Sequence, residues 1–276
     1  CGALLLVGLF TLMRNVYHDD QLAFIAVALA LALPMIAAGS MLMTIDAPFT
    51  CAWMWACVFA HRALSLAPSP LAGEGRGGGY ELLAASSPHP NPPLQGGRGQ
   101  VLHTSWAWPA AGVCVLVGLL AKHTMILWPM SLALCLGMVP EFRGELRRPG
   151  WWIMNAIGAL GALPILIWNA MNGWVTLAHT QYHAGVDQEA FIDWIGPLRY
   201  VGGQLGVLLG FWFVAWVVAM WRHRPSVEKE PQLRFLWWMS ARTLVFFGPF
   251  AFKKGGGEPN WPVAAYITGM ILAAGV

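Results

Sequence analysis

Charged residues are scarce in this sequence. Of its 276 residues only 11% are Asp, Glu, Lys or Arg, whereas 57% are hydrophobic and the mean hydropathy is +0.56. A soluble domain carries roughly 25% charged residues, so this composition excludes an ordinary cytosolic enzyme and a disordered protein. The net charge of +3 is too small to attract a polyanion, and we expect no nucleic-acid partner.

Cysteine pairs of the CxxC type are absent as well. The five cysteines stand inside or beside apolar runs, at positions 1, 51, 57, 114 and 135. This spacing indicates neither a zinc site nor a disulfide framework. No charged segment followed by a cleavage site marks a signal peptide. The low charge content and the high hydropathy together predict an integral membrane protein.

Long apolar runs dominate the chain and predict transmembrane helices, because backbone embedded in lipid must satisfy its own hydrogen bonds. A span needs roughly 20 residues, which gives nine crossings, the outer two partial. The runs are 2–13, 21–43, 49–66, 105–121, 124–139, 151–171, 198–221, 233–252 and 261–276. Since the first and last runs are short, we interpret the chain as an internal fragment of a larger protein.

Positive charges alternate between the linkers that join these runs. Leaving out Arg242, which lies inside a run and has no assigned role, one set of linkers holds 11 Lys and Arg residues and the other holds four. The positive-inside rule places the first set in the cytoplasm. The outer loops are then 44–48, 122–123, 172–197 and 253–260.

One segment interrupts this pattern. Residues 67–104 are rich in Pro, Gly and Ser and contain an imperfect repeat, so they cannot bury enough apolar surface to offset chain entropy. We predict a disordered cytoplasmic insertion there, similar to a translated bacterial intergenic repeat. The predicted organisation is transmembrane helices over 1–66, the insertion over 67–104, and transmembrane helices over 105–276.

Asp46 stands in the first predicted outer loop, within Thr-Ile-Asp-Ala-Pro. A carboxylate at the membrane boundary is costly unless it has a partner or lines a wet cavity. An Asp two residues before a Pro can also cap a helix. One residue can do both, and the sequence does not choose between them.

Lys122 and His123 form the second outer loop, a turn so tight that the ammonium group must lie near the membrane boundary. There it could meet an anionic group, with His123 adding polar capacity beside it. The alternative is a lysine whose stem lies in the apolar layer while its ammonium group reaches water.

Polar residues also follow the run 151–171. Asn169 and Asn172 are three residues apart, which puts both amides on one helix face, and Trp174 follows them. The tryptophan fits an aromatic belt, but amides in an apolar layer need partners. In the same loop His179 and His183 could form half of a metal site if this piece is helical, and a solvated polar loop is the alternative.

The last outer loop contains two lysines, a glycine run and the sequence Pro-Asn-Trp-Pro. Lys253 and Lys254 oppose the positive-inside bias, which suggests that they serve a local anion, with Asn260 and Trp261 beside it. A flexible hairpin with Trp261 at the interface is the alternative.

Taken in order, four of these motifs resemble a known family. They are Thr-Ile-Asp-Ala-Pro, Gly-Leu-Leu-Ala-Lys-His-Thr, Pro-Ile-Leu-Ile-Trp-Asn-Ala-Met-Asn-Gly-Trp and Pro-Asn-Trp-Pro-Val-Ala-Ala-Tyr. The chain is similar in this respect to the bacterial family 39 glycosyltransferases, relatives of the protein O-mannosyltransferases and of the lipid A aminoarabinose transferase.

The resemblance implies an all-α polytopic membrane protein with a GT-C-like helix bundle in the bacterial inner membrane. It implies a polyprenyl-phosphate-linked sugar as donor and a lipid, glycan or protein as acceptor, used at the outer face. Lys122 would face the lipid phosphate, and Asp46, the Asn169–Trp174 segment and the Asn260–Trp261 segment would lie at the cavity. A divalent metal has no support in the sequence.

The family's expected catalytic base would lie upstream of residue 1, so no catalytic residue is assigned and we expect this chain alone to be inactive. Two other hypotheses stay open. One is a non-catalytic remnant of such an enzyme. The other is a transporter or flippase for a lipid-linked anion, which would show inverted repeats and charges near the midplane.

Overall fold

The computed structural model describes most of the chain. The described residues are 1–34, 36–37, 44–65, 106–183, 192–226, 229–253 and 258–276. The predicted insertion 67–104 lies outside these residues, and so does Lys254.

The described residues fold as α-helices joined by short 3-10 segments, and their only β-contact is one antiparallel bridge between Ile192 and Lys253. The predicted all-α class is confirmed. The α-helices are α1 (Gly2–Tyr17), α2 (Asp20–Leu31), α3 (Asp46–Ser65), α4 (Ala107–Ala121), α5 (Leu127–Met138), α6 (Pro149–Leu160), α7 (Leu163–Met171), α8 (Val175–His183), α9 (Gly196–Val207), α10 (Phe211–Arg222), α11 (Pro231–Phe247) and α12 (Val263–Ala274). The 3-10 segments are η1 (His123–Ile126), η2 (Pro140–Arg147) and η3 (Gly248–Phe252).

By length and apolar composition, one helical stretch in the described ranges could cross a membrane by itself: Pro149–Met171, formed by α6 and α7. Counting each sharply bent helix pair as one span raises the number to three. The nine predicted crossings rested on the lengths of apolar runs, which do not reveal where a helix breaks. The run 198–221, for example, bends by 109° between α9 and α10, where Leu209 and Gly210 have positive φ.

The core is built around α12. All ten residues from Val263 to Leu272 are buried, as expected for a helix that is apolar on every side. It packs against α11 and α10 and touches α1, α2 and α3, while α3 packs separately against α1 and α4. The close approach of α12 to α10 requires Gly269, because an ideal Cβ there would lie 2.2 Å from Trp216 Nε1.

A short chain of buried hydrogen bonds crosses the same contact. Trp216 Nε1 donates to Ser240 Oγ at 3.0 Å, and Ser240 Oγ donates to the carbonyl of Ala265 at 2.6 Å. These bonds join α10, α11 and α12 and satisfy polar groups that would be costly to leave unpaired in the core.

Apolar side chains cover the outside of α6 and α7. Only 22% of the apolar window within Pro149–Met171 is buried, and Trp152, Ile167 and Met171 are exposed. An apolar surface of this kind is expected where lipid replaces water.

Ion pairs lie at two separate sets of connections. Arg234 donates to Glu141 at 2.6 Å and joins two predicted cytoplasmic linkers. Within one of these linkers Arg148 pairs with Glu145, which also accepts from Trp108 Nε1 at 3.3 Å. Residues from three predicted outer loops meet elsewhere, as described below.

Replacing Gly269 with Ala should lower the free energy of unfolding by about 1–3 kcal/mol, because the added methyl group overlaps Trp216 and Ser240. Gly137→Ala is the matched control, since its Cβ would have no neighbour within 4 Å and alanine favours a helix. Chemical unfolding in detergent checks both. Equal stability of the two variants would contradict the packing described here.

Glu141→Gln should cost about 1.5–3 kcal/mol, the usual value of a hydrogen bond to a charged group. The reason is that Arg234, only 3% exposed, would lose its ion-pair partner. The double variant Glu141→Gln, Arg234→Met should recover part of the lost free energy of unfolding, because the buried Arg234 charge is then no longer present without a partner. The same unfolding assay measures this, and strictly additive losses would show that the pair is not coupled.

Candidate functional site

Asp46 is the first residue of α3, and its carboxylate reaches across to two other segments. Oδ1 accepts from Lys122 Nζ at 2.6 Å and Oδ2 accepts from Asn260 Nδ2 at 3.1 Å. The main-chain carbonyl of Asp46 accepts from Thr50 Oγ1 at 2.8 Å, one turn along α3. Of the two interpretations open from sequence, the structure therefore shows a carboxylate with partners.

Lys122 ends α4 and turns the chain into η1 with an extended backbone. Its side chain is 11% exposed, against 23% for Asp46, so the pair is largely withdrawn from water. The ammonium group also lies over the ring of Phe49, 5.6 Å from its centre. Lys122 is thus fixed by a carboxylate and an aromatic face, and its charge does not simply extend into solvent.

These contacts follow from the packing of α3 on α4. Asp46 begins one helix and Lys122 ends the other, so their contact places both at the same end of the bundle. Asn260 comes to the same place from the segment just before α12. A partly buried ion pair stabilises a structure only when its remaining hydrogen-bonding groups are also satisfied. The Asn260 amide meets this need, because it donates to the second carboxylate oxygen of Asp46.

A cavity of about 460 Å³ opens beside Lys122. Its polar lining consists of Lys122, His123, Thr124, His179, Thr180 and Glu258. Its apolar lining consists of Ile126, Leu127, Phe246, Phe247, Phe250 and Trp261. A mostly apolar lining with a few convergent polar groups is typical of small-molecule sites, and the volume lies in their usual range.

The aromatic part of the wall is continuous. The Trp261 ring centre lies 5.6 Å from that of Phe247 and 5.8 Å from that of Phe250, the latter edge to face. These contacts join the end of α11 and η3 to the segment that carries Asn260. The cavity lining therefore combines the cation of Lys122 with a continuous aromatic wall.

The predicted pair of asparagines has a different position. Asn169 is buried; its amide donates to the carbonyl of Ile165 at 2.8 Å, and its side-chain oxygen accepts from the Thr176 N–H at 3.0 Å. Asn172 donates to the carbonyl of Trp168 at 2.7 Å. The Asn169 amide therefore joins α7 to α8, the Asn172 amide bonds back to α7, and neither residue lines the cavity.

Trp174 belongs to the same turn, with an exposed ring and a positive φ of 60°. It does not line the cavity either. The helix that follows, α8, instead contributes His179 and Thr180. The motif therefore directs α8 to the cavity without contributing to its wall.

The remaining candidates divide in a similar way. Asn260 and Trp261 are at the site, whereas Lys253 takes part in the backbone bridge to Ile192. Among the described residues no group of three or more His, Cys, Asp or Glu side chains could hold a metal ion. Arg242 is half-buried on α11, one turn before Phe246, and its Nε has no hydrogen-bond partner.

Sequence reasoning missed the phenylalanines. Phe49, Phe246, Phe247 and Phe250 resemble ordinary residues of apolar runs. The only available signal was the spacing Phe-Phe-x-x-Phe immediately before a polar loop. The side of a helix on which such residues lie depends on its neighbours, which the sequence does not give.

Residues 1–70, which include Asp46, match the family described as dolichyl-phosphate-mannose-protein mannosyltransferase. The chain is also 29% identical over 164 residues to the lipid A galacturonosyltransferase RgtD of Rhizobium johnstonii. This match covers 59% of the chain, which spans about a third of that relative's length (33%). No solved structure matches the chain.

The description of the matching family and the name of the curated relative both concern glycosyltransferases. They confirm the resemblance predicted from the motifs, and the family match itself extends over residues 1–70.

Proposed function

We propose that this chain forms the lipid-phosphate site of a membrane glycosyltransferase. The donor is a sugar on a polyprenyl phosphate, and the acceptor is a lipid, glycan or protein at the outer face of the bacterial inner membrane. The observation that carries the proposal is the position of Lys122, held by Asp46 on one side and lining the cavity on the other. The family match and the curated relative support the reaction class.

An ammonium group has three donors. One of those of Lys122 is used by Asp46, which leaves others for an anion in the cavity. Asp46 itself is an unsuitable base, because it is the ion-pair partner of Lys122 and is not among the residues that line the cavity. We therefore assign it the role of holding Lys122, and we assign no catalytic base among the residues of this chain.

In the proposed reaction an acceptor hydroxyl attacks the anomeric carbon of the sugar. The bond from that carbon to the phosphate oxygen breaks, and the phosphate leaves with the electron pair. Negative charge grows on the phosphate in the transition state, where a fixed cation in a partly dry cavity is most effective. Lys122 supplies that cation, and the acceptor's proton passes to a base that we do not assign.

The apolar wall suits the rest of such a donor. Ile126, which is half exposed, and Phe246 border the cavity and offer surface to a prenyl chain. The aromatic rings of Phe250 and Trp261 offer flat faces to a sugar. The name of the curated relative makes lipid A the first acceptor to test and galacturonic acid the first sugar.

Binding of a polyprenyl phosphate to the detergent-purified chain tests the proposal. Lys122→Ala should weaken this binding about tenfold or more, the value of a lost hydrogen bond to a charged group, and Lys122→Arg should retain part of it. Lys229→Ala, on a predicted cytoplasmic linker, is the charge-matched control and should bind as the wild type does. Equal binding by all four proteins would refute a phosphate site at Lys122.

Asp46→Asn should have a distinctive effect on stability. It leaves the largely buried Lys122 cation without a carboxylate, so we expect a loss of about 1.5–3 kcal/mol. A bound phosphate would replace the missing counter-ion and should therefore raise the melting temperature of this variant more than that of the wild type. Thermal unfolding with and without polyprenyl phosphate measures both. A smaller shift in the variant would mean that the anion does not reach Lys122.

Transfer and simple binding are separate outcomes. A chain that binds polyprenyl phosphate through Lys122 but transfers no sugar to lipid A or another acceptor would be a binding remnant of such an enzyme. Movement of the lipid-linked anion across a bilayer without transfer would instead identify a flippase. Assays on the reconstituted chain with a radiolabelled donor distinguish the three.

A further inference from the structure

The segment that carries Asn260 is short and needs support. Asn260 lies before α12 and must stay within 3.1 Å of Asp46 for the second carboxylate oxygen to be satisfied. Trp261 packs on the aromatic wall, but a ring contact alone does not fix the direction of the neighbouring amide. The structure provides a second support from α9, which contacts this segment on both sides of Asn260.

The contact after Asn260 is a buried hydrogen bond. Tyr266, in the first turns of α12, is fully buried, and its hydroxyl donates to Gln204 Oε1 at 2.7 Å. Gln204 is 1% exposed, and its Nε2 has no partner. Burying an amide with an unpaired N–H group costs free energy. The bond from Tyr266 to the Gln204 side chain therefore holds a fixed position between α9 and α12.

The contact before Asn260 is steric. Gly203, the neighbour of Gln204 on α9, lies so close to Pro259 that an ideal Cβ would be 2.8 Å from the proline Cγ. The proline ring therefore rests directly on the helix backbone. Gly203 and Gln204 together contact the chain one residue before Asn260 and six residues after it.

The beginning of α9 is fixed in turn. The Asp193 carboxylate accepts from the N–H groups of Ile195 and Gly196 at 3.0 and 3.1 Å and pairs with Arg199 at 2.9 Å. The Asp193 N–H donates to the carbonyl of Phe252 at 2.8 Å. Because α9 is anchored at η3 and reaches α12, it can hold the segment between them in one position.

We propose that Gln204 is a positioning residue for the candidate site. Through Tyr266 it fixes the start of α12 and thereby the Asn260 amide on Asp46, which in turn holds Lys122. The importance of this for catalysis rests on the proposed function. The positioning itself is a property of the free chain and is tested without any substrate.

Lysine labelling provides the measurement. The chain has four lysines, at positions 122, 229, 253 and 254, so an amine-specific reagent and peptide mass spectrometry resolve each rate. Lys122 in its ion pair should react slowly, and Lys229 serves as the internal reference. Gln204→Leu should raise the rate of Lys122 relative to Lys229 by about fivefold, the effect of one lost hydrogen bond.

Two further variants separate positioning from stability. Gln204→Leu with Tyr266→Phe removes both partners of the buried hydrogen bond, so neither is left unpaired and the melting temperature should recover, while Lys122 should still label fast. In an Asn260→Ala background, Gln204→Leu should add nothing to the labelling rate, since the link that it acts through is gone. The inference fails if the Lys122 labelling rate of the double variant returns to the wild-type value together with the melting temperature. It also fails if Gln204→Leu still raises that rate in the Asn260→Ala background.

The labelling result is independent of ligand binding. A wild type that binds no polyprenyl phosphate would overturn the proposed function, whereas the dependence of Lys122 labelling on Gln204 would still stand. If the chain instead binds polyprenyl phosphate normally and the labelling rate of Lys122 does not depend on Gln204, the positioning role of Gln204 is overturned and the proposed function still stands.

Discussion

The ion pair between Asp46 and Lys122 is the interaction on which the candidate site depends. A carboxylate and an ammonium group at the edge of an apolar bundle are each costly alone, and together they are tolerated only with good geometry and further hydrogen bonds. The 2.6 Å contact and the Asn260 amide meet that condition. They join the start of α3 and the end of α4 to the start of α12, so the pair fixes both the packing of these ends and the cationic edge of the cavity.

The rest of the fold brings these three ends together. Burial of α12 on all sides sets the centre of the bundle, and Gly269 permits the close contact that this burial needs. The Glu141–Arg234 pair joins two linkers away from the cavity. Among the described residues, the carboxylates of Asp46, Glu141 and Asp193 are each paired with a cation. Each charged group must be neutralised or reach water.

Several features could be predicted from the sequence. The sequence points to Asp46, Lys122 and Asn260 because charged and amide side chains beside long apolar stretches cost free energy unless they have partners or serve a function. Other features could not. The amides of Asn169 and Asn172 bond to nearby backbone, and the sequence pattern cannot distinguish this from a role in the cavity. Apolar run lengths predicted more crossings than the helices of the described residues support by length and composition, because run lengths contain no information on bends such as that at Leu209 and Gly210.

By itself the sequence determined the all-helical membrane class and which polar residues needed partners, because composition and hydropathy follow directly from side-chain chemistry. Only the tertiary structure decided which partners those were. Asp46, Lys122 and Asn260 are far apart along the chain and meet because the start of α3, the end of α4 and the start of α12 lie together. The phenylalanine wall and the support from Gln204 likewise depend on which helix faces meet, and packing of the whole bundle sets those faces.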